Sequence, residues 1–201
     1  MSVSNQYYWT FPSVLTPRFC EEVIEYATNI KDQKAVVSQP SVQYKRKSDI
    51  VWLNDEWVYR EIIPYLHKAN ESAGWNFDID YHESIQFTKY KKNQFYDWHC
   101  DSFGKSFNKP KDLNFHNKIR KLSVTCQLTD SSEYEGGELQ FDYRDYDPHL
   151  RDESKHVITA QEILPRGSVI VFPSYVWHRV QPVTKGTRYS LVMWSLGYPF
   201  K

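Results

Sequence analysis

The 201-residue sequence predicts a mostly β protein, an antiparallel sandwich or barrel behind a helical lead-in. Three observations carry this. From about Asp78 the chain is a succession of short β-prone runs, among them SIQFTKY, KLSVTCQL, SVIVFPS and TRYSLVMWSL. Turn signals such as KKN, EGG, PRG and TKG separate them. No strong helical pattern interrupts the series, so crossover helices are not expected, nor a parallel sheet. The length suits one domain, with residues 1–77 as a mainly helical lead-in and 78–201 as the β core.

In the lead-in, Thr16 is placed to cap a helix whose first residue, Pro17, has no amide hydrogen to lose. Phe19, Val23, Tyr26, Ala27 and Ile30 then recur at helical spacing as its apolar face. A second helix starts near Asn54 or Asp55, with Trp57, Val58, Ile62, Leu66 and Ala69 as its stripe and Gly74 as its stop. Pro64 falls inside it and is expected to kink or break it. The runs QFYDWHC, GELQFDY and VWHRVQPV complete the core strands. Two polar stretches, Ser102–Arg120 and Tyr143–Gln161, are longer than hairpins need.

Composition narrows the function. Aromatic residues make up 16% of the chain and glycines are few, which argues against disorder. Twenty-five basic residues balance twenty-five acidic ones, so no broad electrostatic footprint for nucleic acid or an acidic membrane is expected. The basic clusters YKRKSD and KYKKN read as solvated loops. Three cysteines without CxxC pairing suit a reducing compartment. The N-terminus lacks signal-peptide features and no apolar run is long enough to span a membrane, so the chain reads as soluble and cytoplasmic.

The chemistry concentrates in FYDWHCDSF, where His99 and Asp101 stand two residues apart. Taken alone, the pair fits a metal site, an acid/base pair or polar residues at a strand end. Downstream, VWHRVQPVTKGTRYSLVMW supplies His178, then Arg188 ten residues later, then Ser190. Two imidazoles and one carboxylate are the donor set of the non-haem Fe(II) facial triad, which leaves coordination positions open. Strand alternation puts Arg188, Ser190, Val192 and Trp194 on one face. A guanidinium fork with a hydroxyl beside it suits the distal carboxylate of 2-oxoglutarate. Each residue has a plainer reading. His178 fits a strand-end histidine, Arg188 a structural ion pair, Tyr90 and Trp194 core aromatics, and EGGE a hairpin turn. The joint occurrence of His99, Asp101, His178 and Arg188, in order on strand-like segments, favours the metal site.

With these residues in place, the chain resembles the 2-oxoglutarate- and Fe(II)-dependent dioxygenases of the prolyl 4-hydroxylase type, near the PKHD-type hydroxylases. The matching segments are QFTKYKKNQFYDWHCD, RKLSVTCQLTDSSEYEGGELQF and LPRGSVIVFPSYVWHRVQPVTKGTRYSLVMW, with LTPRFCEEVI resembling the lead-in helix. The resemblance implies a double-stranded β-helix, or jelly roll, with supporting helices. It implies His99, Asp101 and His178 as iron ligands, and Arg188 with Ser190 at the 2-oxoglutarate C5 carboxylate. It further implies Tyr90 facing the cosubstrate, Ser123 helping at the C5 carboxylate, and Tyr96 and Trp194 on the substrate side. Gln127 departs from the family's usual aromatic residue. Strict alternation also puts Tyr96 on the face opposite His99, so its implied role requires an irregular strand. The implied cofactors are Fe(II), 2-oxoglutarate and O2, with ascorbate as an auxiliary reductant. The implied reaction is hydroxylation of a peptidyl proline coupled to conversion of 2-oxoglutarate to succinate. A free amino acid or other small molecule is the second substrate reading, a nucleic acid base the third, and a non-catalytic jelly-roll binding module the rival class. Ser102–Arg120, directly after two of the ligands, is expected to cover the substrate. Such a compact hydroxylase suits a bacterium or a phage.

Overall fold

The structure, a computed structural model, describes residues 7–30, 46–102, 104–143 and 156–200, and the backbone of 33–34. Its first part comprises β1 (Trp9–Phe11), α1 (Pro17–Asn29), β2 (Gln33–Lys34), β3 (Arg46–Lys47), β4 (Asp49–Leu53) and α2 (Glu56–Ser72). Next come β5 (Tyr81–His82), β6 (Ile85–Lys91), β7 (Phe95–His99), β8 (Ile119–Gln127) and β9 (Tyr134–Gly136). The last part holds β10 (Leu139–Asp142), β11 (Val157–Thr159), β12 (Val169–Pro173), β13 (Trp177–Val180) and β14 (Val183–Gly197). Among the described residues, nine strands form a major sheet in the order β1-β12-β8-β14-β6-β4-β2, with β5 and β9 also paired to β14. Five form a minor sheet, β11-β10-β13-β7-β3. Every one of these pairings is antiparallel. The arrangement is the double-stranded β-helix.

The lead-in is less purely helical than its sequence suggests. It contributes strands to both sheets: β1, β2 and β4 to the major one and β3 to the minor one. These strands are two to five residues long, too short for a period-two pattern to stand out. The helices follow the sequence signals more closely. The Thr16 hydroxyl accepts the Phe19 amide hydrogen at 3.1 Å, and Pro17 opens α1. The buried face of α1 is Phe19, Cys20, Val23 and Ala27, whereas Tyr26 and Ile30 are more than a third exposed. Tyr26 instead donates its hydroxyl to Asp55 at the start of α2. Pro64 does not break α2, which runs unbroken to Ser72. Pro64 is exposed, so the carbonyl that loses its amide partner one turn earlier faces water. Gly74 ends the helix at φ 72°. No described helix is long and apolar enough to cross a membrane.

The major sheet divides its residues by parity. In β8, Leu122, Val124 and Cys126 join Leu191 and Met193 of β14 and Val169 and Val171 of β12 against the two helices. The alternate residues Ser123, Thr125, Gln127, Arg188 and Ser190 are also buried, but on the other face. There they meet the minor sheet, with Phe141, Val180 and Phe172 filling in apolar contact around them. Burial on both faces explains why β8 and β14 read as near-continuous rather than alternating runs.

Candidate active site

β7 and β13 lie side by side and bring His99 directly opposite His178. Val180 is paired with Tyr96, so two steps along β13 match three along β7. This one-residue bulge turns Tyr96 to the same side as His99, against strict alternation. The Tyr96 ring stacks on the His99 ring with centroids 3.5 Å apart and planes 11° apart. Trp98 is buried with the Arg179 guanidinium 4.5 Å from its ring centroid. Tyr96 and not Trp98 therefore lines the central cavity.

Just past β7, Asp101 is anchored by its backbone. The amides of Asp101 and Ser102 both donate to the Ser174 carbonyl at 2.9 Å. One potential ligand atom from each of His99, Asp101 and His178 lies within 4.8 Å of the others. The carboxylate oxygens are 3.7 Å from His99 Nε2 and 3.4 Å from His178 Nε2. Each ring turns its Nδ1 to a backbone carbonyl, Asp97 at 2.7 Å for His99 and Val176 at 2.9 Å for His178. A carbonyl only accepts, so each Nδ1 carries the proton and each neutral ring presents a bare Nε2. Two nitrogen lone pairs and a carboxylate then converge with no proton between them, an arrangement that a cation relieves.

Electrostatics agree with that reading. Burial and the neighbouring His178 push the His99 imidazole well below its ordinary value, outweighing Asp101. Burial opposes the Asp101 charge, yet His178, His99, Arg120 and the Ser123 hydroxyl together hold its carboxyl below the usual range. Burial raises the Tyr96 phenol to about 12, so it stays a neutral donor at pH 7. Ser123 donates to Asp101 Oδ2 at 2.7 Å. Because Ser123 spends its proton there, the Ser174 hydroxyl 2.9 Å away must donate to Ser123.

The other end of the cavity belongs to Arg188. It is 1% exposed, and Nη1 and Nη2 have no hydrogen-bond partner. Tyr90 stands opposite it across the β6–β14 ladder, its ring centroid 5.8 Å from the guanidinium carbon. Ser190 lines the same cavity. A buried, unpaired guanidinium is expensive unless an anion joins it. Two open nitrogens fit one carboxylate, as the 2-oxoglutarate C5 group requires. The EGG turn does more than close a hairpin. A Cβ at Gly137 would stand 3.2 Å from Arg188 Cδ and 2.9 Å from Val183 Cγ2, so glycine leaves room for the arginine stem.

The structure alters two of the sequence expectations. Ser123 lies at the Asp101 end rather than beside the Arg188 fork, because it pairs with Trp194 and lies several residues from the arginine along the ladder. None of the described residues of 102–120, Arg120 included, lines the cavity. That stretch is pinned to itself, by Phe107 N to Lys118 O and Asn117 N to Phe107 O, and packs Phe107 and Phe115 edge to face. Phe103 and His149, and most of the stretch 143–161, lie outside the described residues. Arg46 belongs to the YKRKSD cluster expected to be a solvated loop, but it lies on β3 and lines the cavity, as do Gln86, Thr125, Leu139 and Phe172.

Residues 85–196 match the family described as the 2OG-Fe(II) oxygenase superfamily. The chain belongs to that superfamily. The match begins at β6 and ends within β14, so it takes in the three converging residues and Arg188. A PKHD-type hydroxylase of Synechococcus sp. (strain CC9902) is 36% identical over 115 residues, 57% of this chain and 42% of the relative. The chain thus spans about two fifths of that relative's length. Among solved structures, the viral collagen prolyl hydroxylase from Paramecium Bursaria Chlorella virus-1 superposes with a TM-score of 0.65 at 19% identity, covering 98% of this chain and 99% of that one. A prolyl hydroxylase from Trichoplax adhaerens, in complex with a hypoxia inducible factor peptide fragment, superposes with a TM-score of 0.62 at 18% identity, covering 96% and 84%. At these identities the superpositions speak for the fold.

Proposed function

We propose that the chain is an Fe(II)- and 2-oxoglutarate-dependent hydroxylase of a prolyl-type ring, with a peptidyl proline as the first substrate reading. The observation that carries this is one cavity with two ends: three converging acceptors at one, a buried unpaired guanidinium at the other. His99, Asp101 and His178 are the proposed iron ligands. When bound, the Fe(II) activates O2 so that decarboxylation of 2-oxoglutarate to succinate and CO2 is coupled to insertion of one oxygen atom into a substrate C–H bond.

The chain's own residues do the positioning. Arg188 grips the C5 carboxylate with both open nitrogens, and Ser190 adds a hydroxyl beside it. Tyr90 walls the cosubstrate side. The carbonyls of Asp97 and Val176 keep both Nδ1 atoms protonated, so Nε2 of each ring is held for the metal. Ser123, backed by Ser174, fixes the Asp101 carboxylate. Leu139, Phe172 and Val180 exclude water from the cavity. Tyr96 and Trp194 form the substrate side. Ascorbate is the reductant proposed for assays.

A peptidyl proline is supported by the structural neighbours, a collagen prolyl hydroxylase and a prolyl hydroxylase in complex with a peptide fragment. A free amino acid is the second reading, favoured by a second guanidinium in the cavity, that of Arg46. The test is anaerobic titration of Fe(II)-loaded protein with 2-oxoglutarate. A metal-to-ligand charge-transfer band is expected, followed by succinate formation when O2 is admitted. A protein that binds neither Fe(II) nor 2-oxoglutarate would be the non-catalytic module instead.

A further inference from the structure

Three groups of nitrogen donors in the cavity have no partner: Arg188 Nη1 and Nη2, Arg46 Nη2, and Trp194 Nε1. The function proposed above accounts for the first group only. Arg46 sits on β3, opposite Tyr96 of β7, at the substrate side of the site. Its guanidinium is held firmly on three sides. Nε donates to Ser48 Oγ at 2.9 Å, Nη1 donates to Gln86 Oε1 at 3.2 Å, and the carbon lies 4.6 Å from the Tyr96 ring centroid. All these partners are neutral. The remaining nitrogen, Nη2, is buried and unused.

Charge gives the same answer as hydrogen bonding. Arg120 and Glu83 neutralise each other through a two-pronged pair at 2.5 and 2.8 Å. In the loaded site, the two positive charges of Fe(II) and the one of Arg188 balance the single charge of Asp101 and the two of 2-oxoglutarate. Among the described residues that line the cavity, Arg46 is left as the unbalanced charge, in a place where an unpaired cation is costly. Neutral donors alone would be met by a peptide carbonyl; a charged guanidinium held in place with one nitrogen open asks for an anion.

We propose that the substrate presents a carboxylate to Arg46 Nη2 and Trp194 Nε1. In the prolyl reading this is a free imino acid or the C-terminal residue of a peptide, rather than an internal prolyl residue. The proposal rests on the oxygenase reading above and specifies what that site accepts.

The experiment uses matched pairs of ligands: L-proline, N-acetyl-L-proline and a C-terminal prolyl dipeptide, each against its primary amide, with an internal prolyl peptide as the fourth arm. Binding is read by tryptophan fluorescence of the chain loaded with Mn(II) and 2-oxoglutarate. Turnover is read by mass gain of one oxygen with Fe(II) and O2. At least one acid is expected to bind tenfold or more tightly than its amide. Arg46→Gln should abolish that preference and Arg46→Lys should keep part of it, since charge survives without the fork. Whether the free or the peptidyl acid leads identifies the source of the carboxylate. Acids and amides binding within twofold of each other, no acid binding at all, or a preference that survives in Arg46→Gln would each overturn the proposal. Fe(II)- and 2-oxoglutarate-dependent succinate formation without acid preference would overturn the carboxylate alone. Absence of that succinate would overturn the oxygenase reading itself.

Discussion

The two faces of the major sheet use the same strands for opposite purposes. Toward α1 and α2, Leu122, Val124, Cys126, Leu191 and Met193 form a continuous apolar layer. Toward the minor sheet, their immediate neighbours Ser123, Thr125, Gln127, Arg188 and Ser190 are equally buried but polar. The outer face stabilises through apolar area and packing. The inner face holds Arg188 with two unpaired nitrogens, which opposes folding until an anion arrives. Each strand thus carries stability on one alternating set of residues and binding on the other, and the two should separate under mutation.

The sharpest separation is expected at the metal end. Asp101→Ala should reduce 2-oxoglutarate-dependent succinate formation to the no-enzyme background while the protein keeps its cooperative melt. Turnover retained by that variant in a succinate assay would sink the triad assignment.

Arg188→Ala should raise the KM for 2-oxoglutarate by about thirtyfold or more, the loss expected when one partner of a buried charge pair is truncated. Its melting temperature should not fall, because a buried unpaired cation is removed. A fall of several degrees would mean that Arg188 is a structural residue after all.

On the outer face, Leu122→Ala should give the reverse pattern. A fully buried leucine against the helices is expected to cost about 2–5 kcal/mol in denaturant unfolding. The KM for 2-oxoglutarate should stay within twofold. Gly137→Ala tests the border between the faces. The substitution is strained at φ 70° and crowds Arg188 Cδ, so it should cost about 1–3 kcal/mol and raise that KM several-fold. An unchanged KM would show that the turn does not set the arginine's position.

The smallest expected effect is on pH. His82 is lowered to about 4, by burial first and by His67 second. His99 is lowered well below its ordinary value. Both are bases depressed by folding, so below pH 6.5 the unfolded chain binds protons that the folded chain rejects. Stability of the metal-free protein therefore falls as pH drops from 6.5, and the His82 contribution levels off near pH 4. The slope is at most about 1.4 kcal/mol per pH unit per histidine. His82→Gln should flatten the fall in melting temperature between pH 7 and 4.5; an unchanged slope would show that His82 does not contribute.

The residues that sequence reasoning reached most directly are those whose chemistry has a fixed spacing on a strand. His99 and Asp101 stand two apart, and Arg188 and Ser190 share a face by alternation. The second relation is set by the strand itself, whereas the first is completed by the Ser174 carbonyl, which accepts the Asp101 amide just past β7. Arg46, in the cluster YKRKSD, reads from sequence as a solvated loop because its strand is only two residues long and the minor sheet alone brings it beside Tyr96. Ser123 stands at the Asp101 end because the register between β8 and β14, which no local pattern encodes, sets its distance from Arg188. Gly137 looked like a turn residue and is one; its contact with the arginine stem belongs to the third dimension. That Pro64 leaves α2 unbroken depends on which side of the helix meets water, which the sequence does not say.

The bulge in β7 has a consequence for how this segment tolerates changes of length. In an ordinary strand a single-residue deletion exchanges inside for outside along everything beyond it. Here Tyr96 and His99 are three residues apart yet share a side, because one residue between them is surplus to the ladder. Removing Asp97 would bring the count to two, so the tyrosine ring would keep its side, at the cost of the carbonyl that holds His99 Nδ1. A missing codon at this point would leave the ring on its own side of the strand, whereas the same loss in a regular stretch would turn it away. Chains of this kind that differ in length across 96–99 can therefore share the same cavity wall, and residue counting alone would misalign them.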